Sequence, residues 1–145
     1  MQVRHLLKDK GVDVVGIPPG ATLEAAAKLL SEKRIGAVVV REEGGPLLGI
    51  LSERDLVKAM AAHGAGALGQ TVDRHLTREV VTCGLSHTME DLMEMMTRGR
   101  FRHVPVLDDD GKLCGVISIG DVVKNRIAET VREAEALRVY ISATA

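Results

Sequence analysis

Apolar and polar positions alternate along this chain in short, well-separated blocks. Residues 14–17 are apolar and read as a short strand, which Pro18-Pro19-Gly20 terminates. Thr22 caps a helix with Glu24 in its first turn, and Leu23, Ala26, Ala27 and Leu30 recur at helical spacing. Gly36 leads into Ala37-Val38-Val39-Val40, a run suited to a strand buried on both faces. Glu43-Gly44-Gly45-Pro46 reads as a turn, residues 47–51 as the returning strand of a hairpin, and residues 53–62 as a helix with Leu56, Val57 and Met60 facing inward.

The block then repeats. Residues 14–60 align without a gap on residues 80–126, each position 66 residues from its counterpart. Thr22 matches Thr88, Gly49 matches Gly115, Ser52 matches Ser118 and Asp55 matches Asp121. The second copy is read as a strand at 80–82, a helix capped by Thr88, a strand at 101–107, a turn at Asp109-Asp110-Gly111, a strand at 113–118 and a long helix from near Gly120. In that last helix Val123, Ile127, Val131, Ala134 and Leu137 hold one stripe well past the end of the repeat, so it is expected to cover the monomer or another subunit. Residues 4–8 and 71–77 precede the two copies as expected lead-in helices, and residues 63–69 read as a flexible connector. The expected organisation is an α/β (α+β) fold of two β-α-β-β-α repeats, 1–66 and 67–145, packed about a pseudo-two-fold axis. Such short repeats bury their apolar faces on each other.

Composition narrows the function. The chain has 145 residues, 46% hydrophobic and 27% charged, a globular profile. Phe101 and Tyr140 are the only aromatic residues, so the core is aliphatic and a base-stacking platform for single-stranded nucleic acid is excluded. A net charge of −1 lacks the basic footprint of a nucleic-acid binder but leaves room for a local anion cluster. No signal peptide and no run long enough to span a membrane is evident. Cys83 and Cys114 form no CxxC pair and read as small buried apolar residues, which places the protein in the cytoplasm.

The chemistry concentrates in Gly49-Ile50-Leu51-Ser52-Glu53-Arg54-Asp55 and its counterpart Gly115-Val116-Ile117-Ser118-Ile119-Gly120-Asp121. In each, a strand ends at a hydroxyl, a helix begins, and an Asp follows three residues later. A capping box accounts for that pattern without a ligand. The same geometry suits a nucleoside phosphate: amides and a hydroxyl at a helix start for the phosphate, a carboxylate for the ribose hydroxyls.

The tandem unit, with its glycine, two apolar residues, Ser, two variable residues and Asp, resembles a CBS-domain pair (a Bateman module), the family named after cystathionine β-synthase. Phe101-Arg102-His103-Val104-Pro105-Val106 is similar to that family's second strand. The resemblance implies a regulatory module that binds an adenine nucleotide: AMP, ADP, ATP, S-adenosylmethionine or NAD(H). It also implies two clefts between the repeats. One would combine Ser52 and Asp55 with Val81, Phe101, Arg102 and His103; the other Ser118 and Asp121 with Val15, Ile35, Gly36 and Ala37. Asp would hold ribose, Ser and the helix start phosphate, and Val15 or Val81 the adenine through backbone groups, with Ile50 or Val116 on the ring. Because Arg102-His103 replaces Gly36-Ala37, the clefts are expected to be unequal. The resemblance further implies a homodimer acting on a separate effector protein.

Other features read plainly. Gly64-Ala65-Gly66-Ala67-Leu68-Gly69 spells a dinucleotide fingerprint but lacks the strand before it and the helix after it. Met89, Met93 and Met96 are read as core, and the five histidines show no metal-ligand spacing. Without a Ser-His-Asp or Cys-His arrangement, the chain is read as a binding protein rather than an enzyme; the alternative is a scaffold with empty clefts.

Overall fold

The computed structural model describes residues 1–10 and 14–144. Helix α1 (Val3–Lys10) leads to strand β1 (Gly16–Ile17), helix α2 (Leu23–Lys33), strands β2 (Ala37–Val40) and β3 (Gly49–Ser52) and helix α3 (Glu53–His63). Two 3₁₀ segments, Gly64–Gly69 and Val72–Arg74, connect to β4 (Cys83–Gly84), α4 (Met89–Gly99), β5 (His103–Leu107), β6 (Leu113–Ser118) and α5 (Ile119–Thr144). Each repeat forms its own three-stranded sheet, β1-β2-β3 and β4-β5-β6, with the first pair parallel and the second antiparallel. The expected α/β fold of two like lobes is therefore what the chain adopts.

The helix starts follow from their caps. Thr22 Oγ1 accepts from Ala25 N–H, Ser52 and Asp55 form a reciprocal capping box, and so do Thr88 and Asp91. The core divides in three. One cluster fills each lobe, and a third, formed by Ala37, Val39 and Ile50 with Val80, Leu113 and Val116 packed on them, joins the lobes.

The lobes exchange their leading segments. Val3 and Leu7 of α1 sit in the second lobe's core beside Cys83, Leu92 and Ile117. Val3 N–H and Arg4 N–H donate to the carbonyls of His87 and Leu85. Ala67 and Val72, both fully buried, belong to the first lobe's core, where Leu23 N–H donates to Gln70 O and Val72 N–H to Ala21 O. The repeated glycine makes this exchange possible. A Cβ on Gly49 would stand 2.3 Å from Thr77 O, and one on Gly115 2.6 Å from Leu7 Cδ2. Each lobe therefore receives the other repeat's leading segment against a bare backbone.

Several local expectations are corrected. Residues 80–82 are not a strand; β4 lies one step on, at Cys83–Gly84, and of the expected strand at 14–17 only Gly16–Ile17 pairs, because the preceding valines Val14 and Val80 sit at the junction between the lobes. β5 begins at His103 rather than 101, since Arg100 turns left-handed (φ 55°) before it. β3 begins at Gly49 rather than 47. On α3 the buried residue is Ala59, while Val57 and Met60 face outward. Met93 is exposed although Met89 and Met96 are core. Residues 71–77 make only a 3₁₀ turn, and the expected connector at 63–69 is a 3₁₀ segment held by buried Ala67. The stripe on α5 is left uncovered by the described residues: Val123, Ile127, Val131 and Leu137 are all exposed.

Candidate functional site

A cavity of about 460 Å³ opens between the lobes at the Ser52 end of β3. It is lined by Ser52, Asp55, Val81, Phe101, Arg102 and His103 together with Ile50. The sequence motif reaches it because β3 delivers Ser52 to the sheet edge and α3 departs there. The other lobe's contribution depends on α4. Its C-cap Arg100 adopts the left-handed region, and the chain turns sharply so that Phe101 packs against Gly99 and β5 enters beside the cavity. A left-handed non-glycine residue costs roughly 1–2 kcal/mol. Arg34 caps α2 with the same conformation (φ 54°) at the equivalent position, so the strain is built into the repeat.

Asp55 is the hub of this end of the cavity. Its Oδ2 accepts from Ser52 N–H at 2.9 Å and Ser52 Oγ–H at 3.1 Å, and its Oδ1 from Thr77 Oγ1–H at 3.2 Å. Ser52 Oγ in turn accepts from Asp55 N–H at 3.3 Å. Glu53 N–H donates to Gly36 O at 3.0 Å. Of the first three amides of α3, Glu53 and Asp55 are thus engaged, which leaves Arg54 N–H to receive an anion. The capping box expected from the Ser-x-x-Asp spacing is therefore present at this helix start.

Gly36 is corrected. It was expected opposite Ser118, but it lines the same cavity as Ser52, and a Cβ there would stand 3.3 Å from His103 Cε1. The small residue of one repeat thus makes room for the large residue of the other. Ser118 and Asp121 repeat the geometry at 2.8 Å for Ser118 N–H and 2.9 Å for Ser118 Oγ–H, both onto Asp121 Oδ2. Within the second lobe His103 pairs with Ser118 across β5 and β6, as Ala37 pairs with Ser52 in the first. Neither Ser118 nor Asp121 lines the cavity at Ser52. Val15 and Ile35 pack on the first lobe's core, and Ala37 and Val116 lie in the cluster that joins the lobes.

The cavity holds charges that the motif alone does not reveal. Arg54, Lys58 and Arg100 join Arg102 on its wall, against Glu53, Asp55 and Glu79. Arg100 and Lys58 carried a signal, since Arg34 and Lys124 are their identical counterparts 66 residues away. Thr77 and Glu79 carried none, because they reach the wall from the exchanged segment. Away from the cavity, burial and the neighbouring Cys114 push the Cys83 thiol up to about 12; both cysteines are unpaired. Among the described residues no group of His, Cys, Asp or Glu is placed to hold a metal ion, and no helix is long and apolar enough to cross a membrane.

Known proteins share this architecture. A CBS-domain containing protein from Agrobacterium tumefaciens is 52% identical, with a TM-score of 0.82 over 86% of this chain and 92% of its own. A CBS domain protein from Pyrobaculum aerophilum, whose structure is complexed with AMP, is 27% identical with a TM-score of 0.73 over 83% and 89% of the two chains. The mitochondrial CBS domain-containing protein CBSX3 of Arabidopsis thaliana is 33% identical over 147 residues, 96% of this chain and 71% of that one. The chain spans 64% of the length of another curated relative. The CBS domain profile matches residues 3–62 and 72–128. Two matches in tandem, on two lobes that carry the same cap and the same glycine, establish that the chain belongs to the CBS-domain family.

Proposed function

We propose that this protein is a cytoplasmic regulatory module that binds an adenine nucleotide, AMP, ADP, ATP or NAD(H), in the cavity at Ser52 and Asp55. The observation that carries the reading is the meeting, in one cavity, of the first repeat's hydroxyl-carboxylate couple with Arg100, Arg102 and His103 of the second. In this reading Asp55 exchanges its bond from Thr77 for the ribose hydroxyls. Ser52, Arg54 N–H and the four cations take the phosphate, and Val81 and Ile50 flank the adenine. The volume falls within the usual range for small-ligand sites, about 300–1,000 Å³. The AMP complex of the Pyrobaculum relative supports the ligand class. By pseudo-symmetry Ser118 and Asp121, with Val15, Ile35, Ala37 and Val116, form a second and weaker cleft.

The reading is non-catalytic and regulatory. A ligand that orders the cavity stabilises the fold by mass action and reports to a separate effector protein. The exposed stripe on α5 supports a homodimer, with Val57 and Met60 of α3 as further apolar surface. A panel of AMP, ADP, ATP and NADH in thermal unfolding tests the function. The midpoint rises with at least one of them, in proportion to the logarithm of its concentration above Kd. No rise with any of the four would instead support a scaffold with empty clefts.

A further inference from the structure

A second cavity, of about 620 Å³, lies at the opposite ends of the hairpins. Both repeats build it from equivalent positions: Arg41 and Leu107, Gly45 and Gly111, Leu47 and Leu113. It therefore sits on the pseudo-two-fold axis, whereas the first cavity lies to one side. An extended segment divides the two. Thr77, Glu79 and Val81 line the first cavity, Arg78 and Thr82 the second, and Val80 touches both. That alternation is what an extended chain imposes.

The second cavity is one-sided in charge. Arg41, Arg78 and Lys112 line it, and no carboxylate does. Among the described residues none of the three enters an ion pair. Arg78 is held in place by a bond from Nη2 to Asp73 O at 3.1 Å, which leaves its other donors available. Asp108 uses its Oδ1 within its own turn, accepting from Asp110 N–H and Lys112 N–H at 2.9 Å each, and the other turn carboxylates, Glu42, Glu43, Asp109 and Asp110, stand outside the lining. In a chain of net charge −1, three cations around one hollow make a local positive field that an anion relieves. The wall between them is apolar and half-buried: Leu47, Leu48, Val80, Leu107 and Leu113.

We propose that this cavity is a second ligand site, distinct from the nucleotide cavity, for a small amphiphilic anion: a phosphate or carboxylate group on an apolar body. The cations hold the anionic group, and the leucines and Val80 cover the body. The site does not depend on the nucleotide reading, because none of its three cations lines the first cavity.

The test is an NMR titration of the intact chain at constant ionic strength, following the amides of Gly44, Gly45 and Gly111 at its rim. The probes are phenyl phosphate, benzoate, inorganic pyrophosphate and benzyl alcohol. Saturable shifts at these glycines with phenyl phosphate or benzoate support the site, and the tighter of the two names the anionic group. The double variant Arg41→Gln/Lys112→Gln, whose remaining spectrum checks that it folds, binds about tenfold more weakly or worse. Undiminished affinity in that variant, or no shift at the glycines, overturns the proposal. Benzyl alcohol or pyrophosphate binding as tightly as phenyl phosphate would refute the amphiphilic pairing. AMP is absent throughout, so the outcome is independent of the first cavity.

Discussion

At the residue scale one carboxylate carries two tasks. Asp55 closes the capping box of α3 and stands on the cavity wall, so the sequence motif Ser-x-x-Asp was legible as either. The two tasks fall largely on different oxygens: Oδ2 closes the cap, and Oδ1 takes the bond from Thr77 that a ribose would replace. Substitution tests them separately. Asp55→Ala removes the cap and costs about 0.5–2 kcal/mol of stability whatever the ligand. Asp55→Asn keeps an oxygen for Ser52 N–H and loses the charge. The residues that escaped a reading of the sequence, Thr77 and Glu79, belong to a segment whose partner is 22 or more positions away, and no local pattern announces such a contact. Cys83 offers a pH test at this scale. Its thiol stays protonated in the fold to about 12, while a free thiol ionises at 9.0. The stabilisation is therefore complete below 9.0 and is lost progressively as pH rises from there towards 12. Denaturation midpoints recorded along that limb should fall less steeply with pH in Cys83→Ala than in the wild type. A slope unchanged by the substitution would show that Cys83 is not the group responsible.

At the element scale the hairpins were readable because their apolar runs are dense and their turns carry glycine: β2 and β6 lie where the pattern put them. The edge strands β1 and β4 were read early because β-branched valines mark extended backbone, and extended backbone need not be paired. Val80 and Val81 are extended to line cavities, not to join a sheet. The inward face of α3 was misread in part for a related reason, although Leu56 packs on the first lobe's core as expected. Val57 and Met60 are apolar but unburied, and Ala59, the smallest candidate, meets the core. The repeated glycine gives the sharpest test of how elements fit. Gly49→Ala drives a Cβ onto the carbonyl of Thr77, a backbone atom, whereas Gly115→Ala meets the mobile end of Leu7. Overpacking costs about 1–3 kcal/mol, with Gly49→Ala at the upper end or beyond and Gly115→Ala at the lower. Urea denaturation of the two variants should rank them in that order. Equal losses would mean that Thr77 yields as easily as a leucine tip.

At the scale of the whole molecule the duplication was legible and the exchange of leading segments was not. The ungapped repeat, with its shared Ser and Asp, implied two like lobes, and the two sheets and the family match bear that out. Nothing in the order of residues said that α1 would complete the second core, because Val3 and Leu7 reach it across nearly 80 positions. The same scale holds the question of assembly. Thirteen large apolar side chains are exposed among the described residues, eight of them on α5. In the proposed homodimer a second copy buries that stripe, so a charge placed in it would disrupt the pair. Ile127→Glu/Leu137→Glu should sediment as a monomer under conditions where the wild type is a dimer, with helix content retained. A wild-type monomer, or a dimer that survives the two glutamates, would remove this face from the interface.

The central claim is that the Ser52–Asp55 couple and the cations facing it bind an adenine nucleotide. Isothermal titration of AMP into the wild type and into Asp55→Asn, with the folding of both confirmed by their thermal transitions, tests it most directly. The account predicts saturable binding by the wild type and a loss of about 1.5–3 kcal/mol in the variant, the worth of a hydrogen bond to a charged group. Wild-type protein that takes up no AMP, or a variant that binds it with undiminished affinity, would contradict the account.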